Sequence, residues 1–300
     1  MARIGRGAMG EVWSATDAKT GAAVAVKLAR EALGEPELAA RFEQESRILA
    51  RLRSPFICSL LDAGRTRDGA AYLVLERLTG ETLEALLARE GYLSLEEAGQ
   101  ILGDVLQGLA HAHDAGIVHR DLSPANVFLH RPGAEPAVAK LLDFGIAKLV
   151  DRAATTETAP RTGNRVTMGS LPFVAPEQLG NAAKAGPRAD LYAAGTIFFR
   201  ALTGRIPFGD ASGTKLIVLK REHDAPSIDE VTGEKWPAGV RTFLAKTTAR
   251  LPSKRYGSAD IALAALRSAM RGRAPALEIP ERPLESTPTL TAGDRGRRTR

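Results

Sequence analysis

The sequence predicts an α+β protein in which a small, antiparallel, strand-rich N-terminal lobe precedes a larger, mainly helical C-terminal lobe. Short apolar runs separated by turn residues fill the chain up to about residue 77. Beyond residue 80, apolar residues recur at helical spacing instead. We expect the lobes to cover residues 1–77 and 78–271, and residues 272–300 to form a Pro/Arg/Thr-rich disordered linker or tail.

The first lobe begins with a hairpin. Glu11-Val12-Trp13 leads through a turn between Asp17 and Gly21 into the apolar run 22–27. Little chain precedes Gly5, so we expect a truncated first strand, either because the true start lies upstream or because the small lobe is weak.

A helix and two strands complete the first lobe. Apolar positions at near-helical spacing predict a helix over 35–52, which Pro55 ends. Apolar runs near 57–61 and 71–75 predict the two strands.

The second lobe opens with helices. Leucines between residues 83 and 87 share one helical face, and Ser94-Leu95-Glu96-Glu97 is a capping box that opens a helix running to His113. Apolar runs at 127–129 and 139–142 flank a Pro/Gly turn and predict a small hairpin.

Composition excludes several classes of protein. The chain has 300 residues, of which 44% are hydrophobic and 25% charged, and this balance excludes disorder throughout. One cysteine, Cys58, supplies neither an internal disulfide nor a multi-cysteine metal cage, so we expect a reducing, cytoplasmic compartment. The longest apolar stretch, Leu191–Phe199, is far shorter than the about 20 residues of a membrane span. No membrane segment is therefore expected within the chain.

The net charge of +6 is concentrated at one end. Four arginines in residues 295–300 leave +2 for the remainder, since 6 − 4 = 2. With no aromatic platform or ligand cluster beside it, this charge does not predict a nucleic-acid partner.

A glycine motif lies near the N-terminus. Gly5-Arg6-Gly7-Ala8-Met9-Gly10-Glu11-Val12 fits G-x-G-x-x-G-x-V, in which absent side chains let backbone N–H groups approach phosphate oxygens. A dinucleotide-binding fingerprint would need a helix after the glycines, whereas a strand follows Gly10. Taken alone, a glycine-rich hairpin without a ligand is an equal alternative.

Lys27 ends an apolar strand, where an unpaired ammonium is costly. Glu45 on the following helix can pair with it, and this ion pair can hold the lysine ammonium against nucleotide oxygens. A surface lysine on an edge strand is the alternative.

Two further motifs carry most of the chemistry. The first runs from His119 to Asn126 as H-R-D-L-S-P-A-N, and the second is Asp143-Phe144-Gly145. A hairpin between them brings together two carboxylates and one carboxamide, which can ligate Mg²⁺ and leave one carboxylate to orient a hydroxyl. Chance occurrence of both, followed by Ala175-Pro176-Glu177 and preceded by the glycine motif, is improbable.

This set of motifs resembles the protein kinase family, specifically the bacterial serine/threonine kinases of eukaryotic type. The resemblance runs from Ile4 to about Ala269. It implies the two-lobed kinase fold with ATP between the lobes, and transfer of the γ-phosphoryl group of ATP to Ser/Thr hydroxyls of proteins with Mg²⁺ or Mn²⁺.

The resemblance also implies the ATP-binding residues. Lys27 would contact the α- and β-phosphates, paired with Glu45 in preference to Glu43. Leu75 would be the gatekeeper, and the backbone of the following hinge would bind adenine. The full implied set is Ile4, Gly5, Gly7, Gly10, Val12, Ala25, Lys27, Leu75, Glu76 and Leu78.

In the second lobe the resemblance implies that Asp121 is the catalytic base and that Asn126 and Asp143 ligate the metal. Lys27, Glu45, Asp121 and Asn126 form the implied catalytic set. Arg120 would dock a phosphorylated activation loop. The implied structural residues are Asp190, which would anchor the catalytic loop, and the ion pair of Glu177 with Arg255.

The segment before Ala175-Pro176-Glu177 concerns the protein substrate. Ser170 stands where the resemblance implies docking of the substrate, and residues 151–167 are predicted to be a loop without periodicity. Thr162 and Thr167 are the candidate autophosphorylation sites, with ordinary solvated threonines as the alternative. A homodimer that phosphorylates itself in trans is one expected arrangement.

One position departs from the family pattern. Ser123 stands where serine/threonine kinases usually carry a lysine that touches the transferred group, a contact worth roughly 10² to 10³ in rate. The alternative function is therefore a pseudokinase, a nucleotide-binding signalling module. A small-molecule phosphotransferase is disfavoured because Ala175-Pro176-Glu177 and the segment before it are peptide-docking features.

Overall fold

The computed structural model describes residues 2–7, 10–32, 42–44, 46–47, 49–144, 170–180 and 185–271. These residues form an antiparallel sheet in the N-terminal part of the chain and a mainly helical C-terminal part, as the sequence predicts.

Five antiparallel strands form the first sheet, in the order β1-β2-β3-β5-β4. The strands are β1 (Ala2–Gly7), β2 (Gly10–Thr16), β3 (Ala23–Ala32), β4 (Leu60–Arg65) and β5 (Ala70–Glu76). The turn between β2 and β3 lies where predicted, since the Gly21 N–H donates to the Asp17 carbonyl at 2.8 Å. Although the sequence leaves little length ahead of Gly5, β1 begins at Ala2 and includes that glycine.

The strand predicted near 57–61 lies farther along the chain. Strand β4 begins only at Leu60, and Ile57 makes an isolated parallel bridge to Leu141 in the other part of the molecule. The Cys58 N–H donates to the Leu141 carbonyl at 2.9 Å. Ile57 is buried where the chain crosses between the two parts, and a run of apolar residues alone does not distinguish such a crossing from a strand.

A small core supports the first sheet. The described residues from 42 to 49 are helical, as predicted for part of 35–52. Phe42 on this helix is 1% exposed and packs with buried residues of β4 and β5, namely Leu60, Ala71 and Leu73.

A second sheet of three strands lies in the C-terminal part. It contains β6 (Gly80–Thr82), β7 (Val127–His130) and β8 (Val138–Leu141), in that order. The β7–β8 hairpin is as predicted. Strand β6 was missed because three residues, Gly-Glu-Thr, carry no apolar alternation.

The helices are α1 (Leu83–Glu90), α2 (Leu95–Asp114), α3 (Pro187–Thr203), α4 (Gly213–Glu222), α5 (Ile228–Thr232), α6 (Ala238–Thr247) and α7 (Ala259–Arg271). Helix α2 begins at the predicted capping box, in which Ser94 and Glu97 each bind the other's backbone N–H. Helix α3 is buried along most of its length, which explains its long apolar run. In the part of the chain described, no helix combines the length and apolar character needed to cross a membrane.

Close packing against α2 depends on a glycine. A Cβ atom at Gly108 would lie 2.9 Å from both the Phe56 carbonyl oxygen and Leu141 Cδ1. Gly103, on the same helix, has no heavy atom within 4 Å of such a position.

We expect Gly108→Ala to lower the free energy of unfolding by about 1–3 kcal/mol, because the helix must move away from the Phe56 backbone. Gly103→Ala should raise it by about 0.5–1 kcal/mol, because alanine favours the helix and meets open space. Thermal unfolding midpoints of the two variants check this pair. Equal midpoints for both would contradict the packing described for α2.

Candidate active site

A buried carboxylate holds the loop that follows α2. Asp190, in the first turn of α3, is 1% exposed. Its Oδ1 accepts from the Arg120 N–H and its Oδ2 from the His119 N–H, both at 2.8 Å. His113 Nε2 on α2 also lies 2.8 Å from Oδ2 and donates to it. These three donors compensate the cost of burying the charge.

The backbone of this loop is unusual. Arg120 has a φ of 63°, in the left-handed region that a side chain disfavours. Two hydrogen bonds fix the backbone of Arg120. Its N–H donates to Asp190, and its carbonyl accepts from Gln178 Nε2 at 3.0 Å. The surrounding contacts therefore hold a conformation that the residue alone would avoid.

Leu142 connects this loop to the end of β8. Its carbonyl accepts from His119 Nε2 at 2.8 Å, and its N–H donates to the Asn126 carbonyl at 2.9 Å. Asn126 Nδ2 donates in turn to the Asp121 carbonyl at 2.7 Å. Asp121 and Asn126 are thereby held beside Asp143, which directly follows Leu142.

Asp143 joins the two parts of the molecule. Its Oδ1 lies 2.7 Å from Nζ of Lys27 on β3, and the Lys27 side chain is only 13% exposed. Asp143 also has a positive φ, of 54°. Glu45, the predicted partner of Lys27, lies outside the described residues, while its rival Glu43 lies 3.1 Å from Arg65.

A cavity of about 190 Å³ lies between the sheet and the C-terminal part. Its lining includes seven of the ten predicted ATP-binding residues, which are Ile4, Val12, Ala25, Lys27, Leu75, Glu76 and Leu78, and also Asp143. The three predicted glycines lie on the β1–β2 hairpin beside it, where Gly5 faces Val12 and Gly7 faces Gly10. Residues 8 and 9 between them lie outside the described residues.

The end of β5 is fixed by Glu76. Its Oε1 accepts from the Ser59 N–H at 2.7 Å and from Lys140 Nζ at 2.8 Å. The Glu76 N–H donates to the Ser59 carbonyl at 3.0 Å. This side chain is therefore engaged in holding the predicted hinge to β8, on which Lys140 lies.

Asn126 and Asp143 offer two hard oxygen donors to a divalent metal. Because Asn126 Nδ2 is committed to the Asp121 carbonyl, the amide is oriented and its Oδ1 is an acceptor. Within the ranges that the structure describes, no group of three or more His, Cys, Asp or Glu residues could hold a metal ion. The pair therefore fits a metal that takes its other ligands from phosphates and water, as Mg²⁺ commonly does.

The predicted substrate segment lies next to Asp121. Ser170 and Asp121 border the same small gap between packed side chains, together with Gln178 and Asp190. The candidate phosphorylation sites Thr162 and Thr167 lie outside the described residues.

The end of this segment is anchored by the predicted ion pair. Arg255 Nη1 and Nη2 donate to Glu177 Oε1 and Oε2 at 2.7 and 2.9 Å. The Arg255 side chain is fully buried and also donates to three backbone carbonyls, those of Arg188, Ala249 and Arg250. The guanidinium thus uses its planar donor geometry on several partners at once.

Sequence reasoning missed four contributors around this site. They are His113, Lys140, Gln178 and Lys220. Lys220 had one usable signal, because it follows the apolar Leu216 by four residues on the same helical face. The other three depend on contacts between residues far apart in the chain, which periodicity does not report.

Comparison with known proteins gives a consistent assignment. The protein kinase domain family matches residues 1–265. The serine/threonine-protein kinase PknA of Mycobacterium tuberculosis is 36% identical over 279 residues, covering 91% of this chain and 61% of the relative. The serine/threonine-protein kinase pkn3 of Myxococcus xanthus is 32% identical over 292 residues, covering 96% of this chain and 53% of the relative. The chain thus spans less than two thirds of the length of these curated relatives.

A solved structure supports the fold. The crystal structure of the Mycobacterium tuberculosis PknI kinase domain superposes with a TM-score of 0.67 and 24% sequence identity, covering 89% of this chain and 94% of that chain.

We expect Asp190→Asn to lower the free energy of unfolding by about 1–3 kcal/mol, because an amide NH₂ would face a backbone N–H and leave that buried donor unsatisfied. Asp210→Asn, at an exposed turn, should change it by less than about 0.5 kcal/mol. Denaturant unfolding of the two variants measures the difference. An Asp190→Asn protein as stable as the wild type would contradict the anchoring role.

Proposed function

The chain belongs to the protein kinase family, and from this premise we propose that it transfers the γ-phosphoryl group of ATP to Ser or Thr hydroxyls of proteins. One observation carries the proposal. A continuous set of hydrogen bonds from Asp190 through His119 and Leu142 holds the loop that carries Asp121 and Asn126 against the end of β8. Asp143, the next residue after Leu142, lines the cavity together with Lys27.

The cavity supplies the nucleotide site in this proposal. Val12, Ala25 and Leu78 would give apolar walls for adenine, and Leu75, which also lines the cavity, would be the gatekeeper. The backbone of Glu76 and Leu78 would bind the adenine edge. Lys27 would meet the α- and β-phosphates under the hairpin that carries Gly5, Gly7 and Gly10.

Asn126 and Asp143 would hold the divalent metal, Mg²⁺ or Mn²⁺, that accompanies ATP. When bound, such a metal neutralises charge on the transferred phosphate. Lys27, 2.7 Å from Asp143, balances the carboxylate of that residue. Glu45 is proposed as the further partner of Lys27.

Asp121 is proposed as the group that accepts the proton of the substrate hydroxyl. It lies close to Ser170, because both residues border the same small gap, so a peptide docked along the segment that begins at Ser170 would bring its hydroxyl toward this carboxylate. Catalysis would then consist mainly of positioning and charge stabilisation. Arg120, next to Asp121, would bind a phosphorylated activation loop, with Thr162 and Thr167 as the proposed sites and a homodimer as the proposed arrangement for their modification.

The residues that a pseudokinase would lack are present. Lys27, Asp121, Asn126 and Asp143, to which the proposed transfer assigns roles, are all present in the sequence. Ser123, the one departure from the family pattern, is 7% exposed, and its carbonyl accepts from the Asn126 N–H at 2.9 Å. This residue therefore starts the short 3₁₀ turn that orients Asn126.

A small-molecule phosphotransferase is less well supported. The segment from Ser170 to Glu177 is built into the C-terminal part by Gln178 and Arg255 and borders Asp121, as a peptide-docking surface would be.

We expect Asp121→Asn to lower kcat for transfer from labelled ATP to a basic protein by about 10² to 10⁴, because the hydroxyl loses its base. ATP affinity should be unchanged, since Asp121 is not among the residues lining the nucleotide cavity. Asp143→Asn should abolish transfer and also weaken binding of Mg-ATP. Asp114→Asn, at an exposed position on α2, is the matched control.

Phosphate incorporation and equilibrium binding of a fluorescent ATP analogue separate the two effects. Full transfer by Asp121→Asn or Asp143→Asn would overturn the proposed function. Tight ATP binding by the wild type, with turnover no greater than that of Asp121→Asn, would favour the pseudokinase.

A further inference from the structure

Helix α4 carries a buried lysine. Leu216 and Lys220 are four residues apart on the helix and are 2% and 1% exposed. An ammonium removed from water is costly unless its donors are all used. The surroundings of Lys220 must therefore supply acceptors.

Three backbone carbonyls supply them. Lys220 Nζ donates to the carbonyls of Leu171, Pro172 and Val174 at 3.1, 2.6 and 2.6 Å. An ammonium has three N–H donors, so each donor has one acceptor. Nζ also lies 4.9 Å from the centre of the Tyr192 ring, within the range of a cation–π contact.

The contact between Lys220 and the three carbonyls depends on the charge of its amino group, because the charge determines how many N–H donors it has. Burial and, to a smaller extent, Arg255 nearby lower the pKa of Lys220 to about 7, while Glu177 opposes the shift. A neutral amine has only two N–H groups and would leave one of the three carbonyls unsatisfied. The three-carbonyl arrangement is therefore specific to the ammonium.

The segment that Lys220 binds is the one next to Asp121. Leu171–Phe173 is a single 3₁₀ turn, and Ser170 directly before it lies close to Asp121, since both border the same small gap. Arg255 anchors the downstream end of the segment through Glu177. Lys220 is the charged group that holds the upstream turn, and it is not among the residues lining the nucleotide cavity.

We propose that Lys220 is a positioning residue for the protein substrate, whose ammonium fixes the backbone of Leu171–Val174, next to Ser170, and thereby sets the affinity of this segment for a Ser/Thr peptide. This inference rests on the proposed function, and it separates peptide affinity from ATP affinity.

The test compares Lys220→Met, which keeps the chain length without donors, with Lys220→Gln, which keeps two N–H groups. Lys215→Met, at an exposed position on the same helix, is the control. The probe is the peptide that the wild-type chain phosphorylates fastest in a degenerate Ser/Thr library. We expect the peptide KM of Lys220→Met to rise about 10-fold or more, from loss of hydrogen bonds to a charged donor. The peptide KM of Lys220→Gln should lie between those of the wild type and Lys220→Met. The KM for ATP should not change in any variant.

A second measurement does not need turnover. The N–H groups of Phe173 and Val174 donate to the carbonyls of Ser170 and Leu171 at 3.0 and 3.3 Å, so these amides report whether the turn is closed. Their hydrogen exchange should be faster in Lys220→Met than in Lys215→Met. If Lys220→Met does not fold, Lys220→Gln carries the same comparison.

The outcomes are distinct. Unchanged peptide KM and unchanged exchange in the Lys220 variants would overturn the inference while leaving the proposed function intact. A parallel rise in the KM for ATP would also overturn it, because the effect would then be general loss of structure. A wild-type chain without any transfer would refute the proposed function, and slow exchange retained in Lys220→Met would refute the positioning role in that case.

Discussion

The active-site arrangement depends on one buried carboxylate. Asp190 is almost fully buried and accepts hydrogen bonds from α2 and from two successive peptides of the loop that contains Asp121. A buried charge is stable only when its acceptors are fully used, and here the compensating donors belong to the elements that must be aligned. The loop must therefore keep the conformation that points the His119 and Arg120 N–H groups at Asp190, because these donors stabilise the buried charge.

Further hydrogen bonds connect this loop to the residues around the cavity. His119, held by Asp190 at its N–H, binds the Leu142 carbonyl through its ring, and Leu142 binds Asn126 in return. Asp143 follows Leu142 and reaches Lys27 on the other side of the cavity. Positive φ angles at Arg120 and Asp143 lie at the two ends of this set of contacts. Backbone strain of this kind persists only where surrounding contacts determine the conformation, which is the case at both residues.

The sequence allowed the elements and most site residues to be predicted, because glycine spacing, the capping box at Ser94 and the order of the acidic motifs are local features. What it did not reveal is non-local. Strand β6 has no pattern of its own and exists through pairing with β7. In the run at 57–61, Ile57 bridges to Leu141 in the C-terminal part, and β4 begins only at Leu60. The contacts of His113 with Asp190, Lys140 with Glu76 and Gln178 with Arg120 join residues that are 77, 64 and 58 positions apart. Neither propensity nor periodicity reports such pairs.

Two cations hold the segment between Ser170 and Glu177, and they do so by different chemistry. Arg255 is a permanently charged guanidinium paired in bidentate fashion with the Glu177 carboxylate, so its hold does not vary with pH near neutrality. Within the described residues, the hydrogen-bond acceptors of Lys220 are all backbone carbonyls. Burial is the main cause that lowers its pKa to about 7. Both flank the Tyr192 ring, with Lys220 Nζ and Arg255 Cζ each 4.9 Å from its centre. The downstream anchor is therefore fixed, whereas the upstream turn beside Asp121 is held by a group whose charge is finely balanced. Of the two ends of the segment, the one beside Asp121 is thus the one whose contacts depend on the protonation of a lysine.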